Sequence, residues 1–171
     1  MCEFCRQTWK TSLLTLFLAG WFSVASAAGL QVFPGRVVGV LDGDTVDVLT
    51  VDHVQERIRL MGIDAPEKAQ AFGQRSKQFL ADLVFGKTVE IEWRHRERYG
   101  RIVGRVLLDG RDVNLEMVQA GLAWHYKAYE REQRPEDREL YAFAETAARK
   151  KSQGLWGDLN PIPPWNYRRS K

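Results

Sequence analysis

Cysteine is nearly missing from this chain. It has two, Cys2 and Cys5, both in an N-terminal stretch unlike the rest. The main body therefore has no disulfide framework, no thiolate metal site and no thiol nucleophile. Histidine is almost as scarce. His53, His95 and His125 show no H-x-x-x-H spacing, which argues against zinc and leaves them surface or structural roles. A Walker loop, a dinucleotide glycine fingerprint and a Ser-His-Asp arrangement are all absent, as are internal repeats and low-complexity segments. No charge dominates either: 25 Lys and Arg against 22 Asp and Glu leave +3 at pH 7. If nucleic acid is the partner, the basic residues must be focused locally. They do cluster, at Arg94 to Arg105 and at Arg168, Arg169 and Lys171, although a solvated charged surface accounts for both clusters equally well.

Long uncharged runs are also lacking, with one exception. Arg6 and Lys10 precede an uncharged stretch from Thr11 to Val24, and Ala25-Ser26-Ala27 follows with the small-x-small pattern of a signal-peptidase site. The run is short against the roughly 20 residues of a membrane span. It predicts a cleaved export signal over residues 1–27, with a retained membrane anchor as the alternative. An exported chain without disulfides must hold together by core packing. At 171 residues and 44% hydrophobic content, one domain with a real core is expected.

What is present begins with alternation. Arg36 to Leu41 and Thr45 to Val51 are β-rich runs separated by Asp42-Gly43-Asp44. Asp-Gly there predicts a hairpin, with glycine taking the positive φ of the turn. Gln55 to Ile63 forms a third strand, giving a meander. The period then changes: Phe79, Leu80, Leu83 and Val84 share one helical face in 74–85, and Gly86 marks its stop. Thr88 to Trp93 and Ile102 to Leu108 are a fourth and fifth strand. Asp112 to Ala120 predicts a short helix, and Pro135 opens a longer one to about Lys151, with Leu140, Phe143, Ala144 and Ala147 as its apolar stripe. The tail, residues 159–171, is proline-rich and basic and should lie extended, with Trp156 and Trp165 as anchors. The pattern predicts an α+β domain over 28–158, mainly β in its core: a five-stranded OB-type Greek-key barrel with about three helices. Fold alone assigns no function.

The chemistry-bearing residues gather around Arg57 to Glu67. Ile58 and Leu60 alternate with Arg57 and Arg59, and a turn stiffened by Pro66 presents Asp64 and Glu67. Asp42-Gly43-Asp44-Thr45 is compatible with an ordinary turn, and it lacks the further ligands of an EF-hand loop. In a meander, however, the entry of one strand and the exit of its neighbour can lie close together. Asp44 and Asp64 could then share a hard cation such as Ca²⁺ and leave room for water and a phosphate oxygen. Arg98-Tyr99-Gly100-Arg101, in a basic connection between strands four and five, could bring Arg101 to join Arg59 on one phosphate. Trp124, Tyr126 and Tyr129 could stack a base or pack the barrel end.

Taken together, Asp42-Gly43-Asp44-Thr45, Arg59-Leu60-Met61-Gly62-Ile63-Asp64-Ala65-Pro66-Glu67 and Arg98-Tyr99-Gly100-Arg101 resemble the staphylococcal nuclease family, in its order and at compatible separations. Asn114 and Gly121-Leu122-Ala123 extend the match, and the Asn160 to Trp165 tail is similar to that of exported bacterial members. The resemblance implies a Ca²⁺-dependent phosphodiesterase acting on DNA and RNA and leaving 3′-phosphates. It implies Asp44 and Asp64 as side-chain metal ligands and Thr45 as a ligand through its carbonyl. Glu67 would handle the attacking water, while Arg59 and Arg101 would hold the phosphate; Arg98, Tyr99, Tyr126 and Tyr129 are candidates for substrate contact. This sequence departs from the archetype in having Glu97 for an Asp, and only Lys68 to Phe72 between Glu67 and Gly73. Two other readings stay open: a non-catalytic OB module that binds nucleic acid or protein, and a metal-binding envelope protein with another phosphodiester substrate. No stable protein partner is expected.

Overall fold

The computed structural model describes residues 29–171; the leader and its Ala25-Ser26-Ala27 site lie outside the described residues. Strand β1 (Gln31–Asp42) pairs antiparallel with β2 (Thr45–Thr50), which pairs antiparallel with β3 (Gln55–Leu60). A two-residue strand β4 (Ile63–Asp64) follows, then helix α1 (Gly73–Val84). Strand β5 (Thr88–Arg96) returns to lie beside β1, and β6 (Ile102–Leu108) lies beside β5. The sheet order is β3-β2-β1-β5-β6, and a parallel pairing of β3 with β6 closes it into a five-stranded barrel. A short extra strand β7 (Arg111–Asp112) leads into α2 (Val113–Gln119), and β8 (Trp124–His125) pairs with β4. Helices α3 (Pro135–Lys150) and α4 (Pro164–Arg169) complete the chain. The fold is the expected OB-type α+β barrel. Among the described residues no helix is long and apolar enough to cross a membrane.

Alternation builds the core as expected. Val46, Val48, Ile58, Leu60, Ile91, Ile102 and Val106 are all essentially inaccessible, and Leu80, Val84, Met117 and Val118 cap them from α1 and α2. Burying each such side chain stabilises the fold by roughly 1.5–3 kcal/mol. Asn114, like Ser76, is polar at full burial. Its amide donates to the carbonyls of Met61 (3.0 Å) and Gly104 (3.2 Å), and its oxygen accepts from Val106 N–H at 3.1 Å. It thus ties the exit of β3 to β6. Asn114→Ala would leave Val106 N–H and Met61 C=O without the amide, at about 1–3 kcal/mol each before relaxation, while Gly104 C=O keeps Met61 N–H. A loss of about 3 kcal/mol in urea unfolding is expected; a loss below about 1 kcal/mol would show that water replaces the amide.

Four expectations change. The 42–45 hairpin forms, but Gly43 does not take a positive φ. Glycine is needed there for space, since a Cβ would collide with Ser76 Oγ and lie 2.8 Å from Ala65 Cβ. The third strand ends at Leu60, because Gly62 at φ +77° breaks it before β4. On α3 the buried residues are Asp137, Tyr141, Ala144, Glu145 and Ala148, whereas Leu140 and Phe143 face solvent. Buried acids had disguised the inward face. Asp137 pairs with Arg105 and Arg134, and Glu145 accepts from His125 N–H. Finally, the tail is not extended throughout: Pro164–Arg169 form α4. Proline at the first helical position is preset for that start and sacrifices no needed N–H.

Candidate active site

Strand parity positions the first side chain. With Ile58 and Leu60 buried in the barrel, Arg59 must face outward. It pairs across β2 with Thr45 and across β6 with Val103. The β1–β2 turn therefore lies on one side of Arg59 and the connection before β6 on the other. Its Nη1 lies 3.0 Å from Asp44 Oδ2, and its Nη2 donates to Asp64 Oδ1 at 3.0 Å. One guanidinium thus holds the hairpin acid and the β4 acid together. Asp64 is 1% exposed, and burial pushes its carboxyl above the usual carboxylate range despite Arg168 and Arg59 beside it.

Asp44 is fixed from several sides. The Ala65 N–H donates to its Oδ2 at 2.8 Å, and the Thr45 hydroxyl donates to its Oδ1 at 3.1 Å. Thr45 is itself buried at 2% exposure and does not line the cleft. Its hydroxyl orients Asp44 from behind, which leaves the expectation for its backbone carbonyl untouched. Asp42 does line the cleft, accepting from Asp44 N–H at 3.1 Å. Burial, and next the charge of Asp44, push the Asp42 carboxyl up to about 6.

Arg101 stands two residues ahead of Val103, on the same face by strand parity, and lines the same cleft as Arg59. Its Nε donates to Glu97, a contact that raises its pKa. Arg98 packs over Tyr99, which is 69% exposed at the rim. Tyr126 and Tyr129 line the other rim with ring centroids 5.2 Å apart. Trp124 is core, wedged edge-on against Trp156 and Trp165. His125 is buried against Gln133. Arg57, which shares the outward face of β3 with Arg59, is taken by Asp47 at 2.8 Å.

All the candidate side chains except that of Thr45 therefore meet in one open cleft of about 790 Å³, with Glu67 on its wall. Two members went unforeseen. Asp42 was visible only as part of a turn. Arg168 reaches in from α4, donating to Asp64 Oδ2 at 2.8 Å and to Glu67 Oε1 at 2.7 Å. The only advance sign of it was a basic tail with a tryptophan anchor.

The donor set suits a hard cation. Asp44 and Asp64 share one guanidinium, and all the acids are oxygen donors. Among the described residues no three His, Cys, Asp or Glu side chains converge as a complete shell. A cation would therefore be held by two carboxylates, with water or phosphate oxygens filling the remainder.

A closed OB-type barrel with acids and arginines in one surface cleft has the chemistry to meet a phosphodiester. Residues 57–158 match the family model described as staphylococcal nuclease homologue. A Haemophilus influenzae protein named an uncharacterized endonuclease is 41% identical over 166 residues, covering 97% of this chain and 87% of its own length. An Escherichia coli uncharacterized endonuclease is 42% identical over 159 residues, covering 92% of this chain and 96% of itself. A Shigella flexneri micrococcal nuclease is 41% identical over 169 residues, covering 90% and 94%. The chain belongs to the staphylococcal nuclease family, and with it to the hydrolases that cleave nucleic acid.

Proposed function

We propose that this nuclease cuts DNA and RNA internally, in the presence of Ca²⁺, and leaves 3′-phosphate and 5′-hydroxyl ends. The observation that carries the reading is the pair of acids, Asp44 and Asp64, gathered by Arg59 in a cleft that also holds Glu67 and Arg101. Asp44 and Asp64 would hold the cation, with Thr45 orienting Asp44. When bound, Ca²⁺ supplies positive charge at a phosphate oxygen and a site for water.

The chain's own residues do the rest. Glu67 accepts a hydrogen bond from the attacking water and aligns it with phosphorus; as the new P–O bond forms, the bond from phosphorus to the 5′-oxygen breaks and a proton from the water ends on that departing oxygen. Arg59 and Arg101 donate to the non-bridging oxygens, so charge developing on the pentacoordinate phosphorus meets donors already in place. Arg98 and the rim tyrosines Tyr99, Tyr126 and Tyr129 contact the flanking nucleotides, where stacking is sequence-tolerant. Such contacts do not read base edges, which suits a nuclease indifferent to sequence and sugar. The N-terminal sequence would take the protein out of the cytoplasm to act on nucleic acid there.

End-group analysis is the discriminating experiment. Plasmid and RNA digested with Ca²⁺ should yield 5′-hydroxyl ends that accept a kinase-transferred phosphate without prior phosphatase treatment. Products with 5′-phosphates would replace this mechanism with one of the two-metal kind.

A further inference from the structure

The C-terminal helix brings one more cation to the cleft than the chemistry above uses. Arg168 Nη1 donates to Glu67 Oε1 at 2.7 Å, and Nη2 donates to Asp64 Oδ2 at 2.8 Å, with a further contact of 3.2 Å from Nη1 to Asp64 Oδ1. One planar guanidinium thus spans two acids with different proposed tasks, one at the cation and one at the water. A forked donor fixes the spacing and plane of both groups, which a point charge cannot do.

Glu67 has need of such a hold. Its side chain is 39% exposed, and among the described residues Arg168 is its only ion-pair partner. Arg168 takes Oε1 and leaves Oε2 open to accept from water. Asp64, by contrast, is already held by Arg59. The added contact therefore works mainly to register Glu67 against an acid that cannot move.

The tail is fastened in place. Pro164 is buried. Trp165 stacks on Tyr126 at 5.3 Å with ring planes 19° apart, and meets Trp124 edge-on at 5.5 Å. The Tyr167 hydroxyl donates to Ala69 C=O at 3.2 Å, and the Gln70 side chain donates to Ile162 C=O at 2.6 Å. Ala69 and Gln70 lie in the short loop after Glu67, and the Gln70 side-chain oxygen accepts from Glu67 N–H. The tail thus clamps that loop at two points and its acid at a third. Three holds on one short loop suit a fixed part of the working site, not a plug that must leave before a cation binds.

We infer that Arg168 is a positioning residue that sets Glu67 against Asp64 for water attack, so that the C-terminal segment completes the active site. The inference rests on the function proposed above. Its test uses the full chain and the variants Arg168→Ala, Arg168→Lys and Trp165→Ala. Cleavage kinetics with Ca²⁺ are measured beside Ca²⁺ titration calorimetry without nucleic acid. Arg168→Ala should lower kcat by about 10–100-fold, with KM nearly unchanged and Ca²⁺ bound no more tightly. Arg168→Lys should recover part of the loss. Trp165→Ala, which loosens the tail without touching either acid, should reproduce it, and the double variant should be little worse than the larger single.

An unchanged kcat in Arg168→Ala would reduce the contact to a surface ion pair and overturn the inference. So would tighter Ca²⁺ binding with faster cleavage, which would make Arg168 a competitor of the cation. A loss confined to KM would make it a substrate contact instead. Wild type that neither binds Ca²⁺ nor cleaves sinks both proposals, whereas active wild type beside unaltered Arg168→Ala sinks this one alone.

Discussion

Arg59→Ala should fail twice over, in stability and in catalysis, and the two failures should separate when Ca²⁺ is added. Without metal, Arg59 is 3.0 Å from both Asp44 and Asp64, and those carboxylates are 9% and 1% exposed at their side chains. Removing the shared partner leaves buried Asp44 with no ion-pair partner among the described residues and Asp64 with Arg168 alone. The cost of breaking such a pair from one side is about 3–5 kcal/mol, readable as a shift of the urea midpoint in chelator. Adding Ca²⁺ should recover much of that loss, because the cation returns positive charge to the same acids. Activity should not recover. A preorganised guanidinium on a transferring phosphoryl group contributes on the order of 10³-fold or more. Arg59→Lys should keep part of the stability and little of the rate, since one ammonium cannot span both acids and also fork a phosphate. Equal stability of wild type and Arg59→Ala in chelator would mean that Arg59 does not hold the acids together.

The parts of this arrangement that a reader of the sequence could see are those carried by period and local chemistry. Ile58 and Leu60 alternating with Arg59 put the arginine outside the barrel, and the β3–β6 closure explains why Arg101, some forty residues later, arrives on the same face. The hairpin at Gly43 was legible for an incomplete reason. Its glycine answers to Ser76 of α1 and to Ala65 just after β4, and no local pattern reports such an approach. The α3 stripe misled in the opposite sense. Asp137 and Glu145 look like solvent residues, yet both are buried with partners from other elements, so the apparent apolar face was rotated towards Leu140 and Phe143.

Arg168 was the hardest to foresee. It meets Asp64 across 104 positions of sequence. Its placement depends on Trp165 finding Tyr126 and on a short loop offering Ala69 and Gln70 to the tail. Those are tertiary contacts between irregular segments, for which hydrophobic period carries no information. Thr45 and Asp42 show the same limit at closer range. Both flank Asp44 in a tight turn, and only the pairing of β1, β2 and β3 decides that Thr45 turns inward behind the acid while Asp42 borders the cleft.

Removing Ca²⁺ should abolish cleavage while leaving the barrel folded. The barrel core is built from apolar side chains packed on one another, so its cohesion needs no metal. The site has a different balance. Asp42, Asp44, Asp64 and Glu67 face the cleft against Arg59 and Arg168, with Arg101 already committed to Glu97. A bound phosphate would add negative charge to that surplus of acid, and without a cation its approach is opposed. Charge stabilisation by a bound metal amounts to several kcal/mol, and each 1.36 kcal/mol is tenfold in rate. Chelation should therefore lower cleavage by about 10³-fold or more. A second readout avoids activity altogether. If Asp44 and Asp64 are the ligands, Ca²⁺ at about 100 times its Kd should raise unfolding stability by about 2.7 kcal/mol. That increment should vanish in Asp64→Asn and in Asp44→Asn, and persist in Arg101→Ala, whose side chain is paired away from the two acids. Undiminished cleavage in chelator would sink the calcium mechanism. An increment that survives Asp64→Asn would move the cation away from the acids that Arg59 gathers.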